Sequence, residues 1–594
     1  MSNYTSADVP ESSRVVIDPV TRIEGHLRVE MEAGDGVIKN AWTSTTQYRG
    51  IEVIACKRDP RDVWAFVERI CGVCTGTHAI AALAAVEDAL QYPVPVQARL
   101  MRDLVSGALG IQDHVIHFYQ LQAMDWVDVM SALKADPAET AAIAKSLSDW
   151  PLSSAAYFAG VQKKLKDSIA YGQYSIFTNG YWGHPAYKLP PEVNLLGVAH
   201  YLQALVWQRD MIKIHTILGG KNPHPNYLVG GVACPINMHD TGASGVMVNE
   251  VTMNYMRDIA KAAVDIVYNV YLPDLKAIAS FYPEWFKYGA ALSNKNILCY
   301  GDFPEVANDW SEKSMLLPRG AIIDGKFDEI HDVDLRDPEQ VQEFVDHSWY
   351  KYADGKKGLH PWDGVTDHAF ELPPGSNGTA TKFAWLGEAG KYSWIKSPRW
   401  KGHMMETGPL ARVIMGVQKN MPQYKEPALA LLKELNLPME ALFSTLGRHA
   451  ARALECGFMA DLLVKYVDDL VANIKAGDEA AANMDKWEPS TWPKECKGVG
   501  FCEAPRGALG HWCVIKDGKL TNWQAVVPTT WNASPRDEAG NRGAFENSLI
   551  GTPVADPKRP LEIIRTIHSF DPCLACATHV FSPEGEELVS VKVR

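Results

Sequence analysis

The sequence predicts a mainly α (α+β) fold, a central bundle of long helices with β-hairpins in the N-terminal and C-terminal parts. Two observations predict it. Four long stretches, roughly 97–126, 192–218, 248–272 and 426–473, carry apolar residues at helical spacing, the last interrupted at Pro438. Both ends of the chain instead alternate apolar and polar residues around Gly-containing turns. With 594 residues, 46% of them hydrophobic and 22% charged, the chain can bury a large core.

Residues 15–47 read as strands. Leu27, Val29 and Met31 alternate with Arg28, Glu30 and Glu32, and Gly34-Asp35-Gly36 supplies a turn before Val37-Ile38. A helix is expected from Asp59-Pro60, with Asp as the cap and Val63, Phe66, Val67 and Ile70 on its apolar face. A second helix is expected from near Thr75, placing Cys74 and His78 four apart on one side. The long helices follow. The stretch 281–404 is rich in Gly, Pro, Asp and aromatics and reads as a loop-rich peripheral lobe. From His511 the pattern returns to β, with Asp517-Gly518 as the hairpin turn between Trp512–Lys516 and Lys519–Val527.

Charge and composition exclude several roles. A net charge of −13 argues against nucleic acid as a partner, because phosphate contacts need a basic face. The best apolar run, Ala79–Leu90, is interrupted by Glu87 and Asp88 and is not expected to span a bilayer. Met1–Asp8 carries no Lys or Arg and does not read as a secretory signal. Eleven cysteines in so long a chain make no disulfide scaffold. Cys56, Cys234, Cys299, Cys456, Cys496, Cys502 and Cys513 are scattered singly and read as small buried hydrophobes, leaving no second four-cysteine cluster for an iron–sulfur centre.

The other four cysteines carry the chemistry. They stand in two Cys-x-x-Cys pairs, Arg69-Ile-Cys-Gly-Val-Cys-Thr-Gly-Thr-His78 and Asp571-Pro-Cys-Leu-Ala-Cys-Ala-Thr-His579. Four thiolates brought together make a soft, sulfur-only pocket for a transition metal. Structural zinc and a rubredoxin-type iron are both open on the cysteines alone. Zinc-ribbon pairs lie close in sequence, whereas these stand near opposite ends of the chain. The histidine after each pair and the flanking Arg69 and Asp571 also exceed what a structural knuckle needs.

With these motifs in view, the chain resembles the large, catalytic subunit of nickel–iron hydrogenases of the membrane-bound uptake class. The matching segments run nearly end to end: Asp18-Pro-Val-Thr-Arg-Ile-Glu-Gly-His26, Arg69–His78, Gly219-Gly-Lys-Asn-Pro-His-Pro-Asn226, Glu503-Ala-Pro-Arg-Gly507, Val527-Pro-Thr-Thr-Trp-Asn532 and Asp571–His579. The related quinone-site subunit of respiratory complex I lacks the four cysteines. The resemblance implies the nickel–iron hydrogenase large-subunit fold and heterolytic cleavage of H2 into protons and electrons.

Residue by residue, the resemblance implies that Cys71, Cys74, Cys573 and Cys576 bind nickel. Cys74 and Cys576 would also bridge to an iron carrying CN and CO ligands. Cys573 is the first candidate proton acceptor, and Glu24 matches the relay glutamate; the alternative for Glu24 is a turn carboxylate paired with Arg22. Arg506 matches the arginine over the open metal position, with Asp113 and Asp571 holding it. Pro528 and Thr529 match the cyanide recess, and His78 is expected to bond a bridging sulfur. Glu52, the Ala525 carbonyl and His579 match the ligands of a second metal, magnesium. His114, His117, His200, His215 and His224 read as core histidines rather than ligands.

The resemblance further implies a catalytic domain over 1–579 and a C-terminal extension, 580–594, cut between His579 and Val580 by a maturation protease once nickel-insertion factors have acted. An uncut tail would hold the Cys573/Cys576 segment away from its closed position. Electrons released here need an iron–sulfur small subunit, which would also bring the export signal and connect to a membrane b-type cytochrome. The expected location is the periplasmic side of the cytoplasmic membrane, peripherally bound, from a cytoplasmic precursor. The competing readings are a structural zinc protein, which would be indifferent to H2, and a quinone-reductase-like scaffold of the same fold.

Overall fold

The two chain ends fold onto each other. In the computed structural model, which describes residues 5–45, 48–172, 180–240, 247–290, 295–306, 308–353, 357–370 and 390–574, strands Arg14–Ile17, Leu27–Gly34 and Val37–Thr45 form an antiparallel sheet in sequence order. Asp35 and Gly36 both take positive φ and close the hairpin with Gly34 opposite Val37, the backbone twist that favours Gly beside Asp. Leu27, Val29 and Met31 are buried as their alternation requires, and so is Glu30, which pairs with Arg14 and Arg28. The inward face packs on the C-terminal helix Leu561–Ser569 through Ile563, Ile564 and Ile567. Each such side chain contributes about 1.5–3 kcal/mol on burial.

The main core lies between long helices. Val96–Ile116 and Glu250–Ile266 both pack on Thr445–Lys475, the longest element at 31 residues. Gly107 and Gly110 let this contact close, meeting Leu463 and Met459. The helical pattern read over 97–126 continues beyond Ile116 as a π-helical turn, His117–Gln122, and that over 248–272 likewise continues as Val267–Tyr271. The stretch 281–404 supplies a strand pair, Ile297–Pro304 with Met315–Ile322, and the first of these is buried throughout.

A C-terminal meander, Glu495–Ala504, Gly507–Lys516 and Lys519–Val526, completes the frame. Its second hairpin turns at Asp517-Gly518 with Lys516 opposite Lys519, as expected. The sheet begins before His511, because Gly498 and Gly500 in the first strand break the visible alternation. Those glycines have a reason. A methyl group at Gly500 would overlap the Ala81 carbonyl and the Ala85 amide, and one at Gly498 would overlap the Ala85 carbonyl. The alanine-rich helix Thr77–Leu90 therefore lies directly on the strand's backbone.

Two helix starts differ from expectation. The Asp59 side chain accepts from the backbone of Arg61 and closes a turn there, so the helix runs Val63–Val67 and tightens to a 3₁₀ turn, Glu68–Ile70. The next helix begins at Thr77 after Gly76 at φ 84°. Cys74 thus stays outside the helix that carries His78.

Candidate metal centre

Each described cysteine of the two pairs lies near the end of a helical segment. Cys71 follows the 3₁₀ turn, Cys74 precedes the helix Thr77–Leu90, and Cys573 follows the helix Leu561–Ser569. The last helix is pinned to the N-terminal sheet, and the segment after it runs beside the turn that holds Glu24. Glu24 and Cys573 form a parallel bridge, with the Leu574 N–H donating to the Glu24 carbonyl at 2.6 Å. The result brings together three thiols from opposite ends of the chain. The sulfurs of Cys71, Cys74 and Cys573 all lie within 4.8 Å of one another and are buried. Cys71 and Cys573 share a sulfur–sulfur hydrogen bond at 3.3 Å and form no disulfide. Cys576 and His579, with Val580 and the tail, lie outside the described residues.

The donor set fits a soft transition metal. Buried thiols this close repel once ionised, and a shared soft cation relieves that repulsion. With metal–sulfur bonds of about 2.3 Å, sulfurs 3.3 Å apart subtend about 90° at a shared ion, tighter than a tetrahedral angle. The Cys74 amide donates to the Cys71 sulfur at 3.1 Å, and the Cys573 amide donates to the Thr529 hydroxyl at 3.2 Å. Pro528 opens the short helix Pro528–Asn532 that carries Thr529.

Arg506 occupies the tip of the two-residue turn between the first two meander strands, where Ala504 pairs with Gly507. The tight turn projects its side chain into the core, 3% exposed. Its Nε donates to the Asp571 carbonyl, its Nη2 to Asp571 Oδ1 and its Nη1 to Asp113 Oδ2, each at 2.9 Å. Burial opposes the charge, but Asp571 and Asp113 overcome it and hold the guanidinium pKa well above its ordinary value. Burial and the neighbouring anions Asp571 and Cys71 push the Asp113 carboxyl up to about 7, against the pull of Arg506.

Glu24 lines a cavity of about 240 Å³ beside the thiols together with Gly72, Val73, Asp113, Asn222 and Arg506. Burial first, then the Cys71 charge, raises its pKa above the ordinary carboxylate value. Arg22, the sequence neighbour that could have neutralised it, turns away to the Leu121 carbonyl and to Asp125, each at 2.5 Å. Its left-handed backbone, φ 57°, sends the two side chains apart.

The region expected to hold a second metal gathers hard oxygen donors around an ammonium. Glu52 accepts from the Ala525 amide at 3.0 Å and from the Thr366 hydroxyl. Lys396 reaches Glu52 at 3.4 Å, Glu343 at 3.3 Å and the Gln524 carbonyl oxygen at 2.6 Å. His78 is buried, and its Nδ1 lies 3.0 Å from Nε2 of His511. Burial lowers its pKa to about 4, so the ring is neutral. The other histidines bond within the core: His114 to Glu455, His117 to the His568 carbonyl, His200 to Asp274, and His215 to the Val105 carbonyl and Asn222. The His224 amide donates to Thr75.

Two groups escaped sequence reasoning. His511 sits in a strand with nothing local to mark it. Glu68, three residues before Cys71, is 1% exposed, and burial pushes its carboxyl up to about 8; its place beside the motif was the available signal. Cys573 is seated against Cys71; Cys576 and the tail, on which the expectation of a segment held off by residues 580–594 turns, lie outside the described residues.

Comparison with known proteins agrees with this architecture. The family described as nickel-dependent hydrogenase matches residues 49–579, and a HoxL-like family matches residues 14–48. The uptake hydrogenase large subunit of Bradyrhizobium diazoefficiens is 59% identical over 98% of this chain and 97% of its own length. The hydrogenase-1 large chain of Escherichia coli is 53% identical with the same coverage. Among solved structures, the Ni-Fe-Se hydrogenase from Desulfovibrio vulgaris Hildenborough superposes with a TM-score of 0.74 at 32% identity, covering 95% of this chain and 99% of that one. Thiols drawn from both chain ends, an arginine clamped above them and matches over nearly the full length have one explanation: the chain belongs to the nickel-dependent hydrogenase large-subunit family.

Proposed function

We propose that this chain is the catalytic subunit of an uptake hydrogenase. It cleaves H2 heterolytically and passes the electrons to an iron–sulfur small subunit and on to a membrane acceptor. The observation that carries this reading is the convergence of Cys71, Cys74 and Cys573 within 4.8 Å in a buried pocket. Cys71, Cys74, Cys573 and Cys576 would hold nickel, with Cys74 and Cys576 shared with an iron bearing CN and CO. When bound, these metals supply a soft Lewis-acid and redox centre at which H2 is polarised and its electrons are taken up.

The chain's own groups handle the proton. The Cys573 sulfur is its first acceptor. Glu24, whose backbone is bridged to Cys573, then receives it at the carboxylate, and its raised pKa brings it toward the range where proton exchange is efficient. Arg506 keeps a fixed positive charge over the thiols, anchored by Asp113 and Asp571. Thr529 and Pro528 would line the recess for a cyanide. Glu52, the Ala525 carbonyl and His579 are assigned to magnesium; Lys396 bonds Glu52 and Glu343 there.

The catalytic domain spans 1–579, built on long helices with β-hairpins towards both ends and with 281–404 as a loop-rich peripheral lobe. Residues 580–594 are assigned as an extension removed between His579 and Val580 by a maturation protease after nickel-insertion factors have acted. No helix among the described residues is long and apolar enough to cross a membrane. That agrees with a peripheral place on the periplasmic side of the cytoplasmic membrane, reached with the small subunit, which would connect to a b-type cytochrome.

An infrared spectrum of the purified, tail-processed complex tests this function. Sharp bands from metal-bound carbon monoxide and cyanide are expected. A blank spectrum from correctly processed, zinc-containing protein would overturn it.

A further inference from the structure

His511 is fully buried in the strand Gly507–Lys516, with the Trp523 ring edge-on at 5.4 Å. Its Nε2 lies 3.0 Å from Nδ1 of His78, a distance that requires one proton between two ring nitrogens. The glycines beneath the helix Thr77–Leu90 make this approach possible, since Gly500 stands opposite His511 in the sheet. Both rings are enclosed away from water, where an imidazolium would be desolvated, so each carries a single proton. A neutral pair can share its protons in two ways, and the far nitrogens decide between them.

If His78 donated from Nδ1, His511 would have to carry its own proton on Nδ1. That nitrogen has no hydrogen-bond partner among the described residues, and a buried N–H without an acceptor is the rarer and costlier outcome. The reverse arrangement leaves only a bare acceptor there. It also leaves His78 with its proton on Nε2, the nitrogen opposite the dyad. The Cys71 charge acts on this ring, and an anion favours an N–H over a lone pair on the nitrogen left outside the dyad. The unpartnered Nδ1 of His511 selects the tautomer, and that charge agrees with it.

We propose that His511 is a positioning residue: it donates from Nε2 to Nδ1 of His78 and so fixes His78 in the tautomer whose Nε2–H serves the thiolate pocket. His511 touches no metal and acts only through His78. The consequence for the sulfurs rests on the metal-site reading above, whereas the tautomer itself does not.

Neutron diffraction on deuterium-exchanged crystals of the complex tests the tautomer whatever metal is bound. Deuterium is expected on Nε2 of both rings and on neither Nδ1; deuterium on His78 Nδ1 overturns the proposal. Infrared bands of the loaded complex test the consequence. H511L is expected to shift the carbonyl and cyanide bands, H511Q to restore them through its amide donor, and H511L to add no shift in a H78L background. Wild-type band positions in H511L, or additive shifts in the double variant, count against it. Should wild-type protein lack the bands, the metal-site reading fails and the neutron result alone decides the dyad. Should H511L fail to fold, H511Q and the neutron map carry the test.

Discussion

Glu24 and Arg506 reach the thiols by opposite means, one through a loosely held carboxyl and the other through a fully bonded guanidinium. That difference sets what each substitution should do. Glu24→Gln removes the proton-carrying oxygen without removing a packing contact, so H2 uptake should fall by about 10²–10⁴-fold. Nickel content and Tm should stay at wild-type values; an unchanged uptake rate in fully loaded E24Q would remove Glu24 from the proton route. Arg506→Lys keeps the charge but cannot span Asp113, Asp571 Oδ1 and the Asp571 carbonyl together. A loss on the order of 10²-fold in turnover is expected, the scale of one misplaced electrostatic donor, and H2 uptake normalised to nickel measures it. The sequence offered Arg22 as an alternative partner for Glu24. The true partner of Arg22, Asp125, is 103 residues away, and no local pattern could announce it.

The helix Thr77–Leu90 and the strand Glu495–Ala504 form a joint whose closeness depends on absent side chains. A Gly500→Ala change places a methyl group against the Ala81 carbonyl and the Ala85 amide, and neither backbone atom can yield. Overpacking of this kind costs about 1–3 kcal/mol, and it pushes away the helix that carries His78 and follows Cys74. Thermal unfolding should show a lowered Tm, and metal analysis a reduced nickel content. Full nickel loading in G500A would show that the thiol pocket tolerates a displaced helix. At this scale the sequence was most readable where a conformation is demanded locally. Asp35-Gly36 and Asp517-Gly518 turn where their residue types require, and the break near Pro438 separates Pro422–Glu434 from Thr445–Lys475. It was least readable where a side chain competes with the backbone, as when Asp59 closes a turn and delays the helix to Val63.

Across the whole molecule, buried neutral histidines set an acid limit. His78 and His215 both have folded pKa values lowered by burial from 6.5 to about 4. A group depressed in this way stabilises the fold above its unfolded pKa, and that contribution is lost as pH falls through the folded one. Stability should therefore decline between pH 6.5 and about 4. The span of 6.5 to about 4 corresponds to roughly 3 kcal/mol for His215. Denaturant unfolding of wild type and His215→Gln across that window checks it, and the variant should lose less on acidification; equal slopes would show that His215 takes up its proton alike in the folded and unfolded states. The family and the converging cysteines were legible because two short motifs carry them. The frame that brings the motifs together was not, since it rests on Ile563, Ile564 and Ile567 meeting Leu27, Val29 and Met31 across most of the chain.

That meeting of the two ends also sets a schedule. Cys71 and Cys573 are separated by 502 positions, so a ribosome adding about 5–20 residues per second leaves the first pair of thiols without its partners for roughly 25–100 s. Throughout that interval the nascent chain offers a two-sulfur half-site to any passing cation. Whatever delivers the correct metals must act after synthesis ends, and the half-made pocket has to be shielded until then.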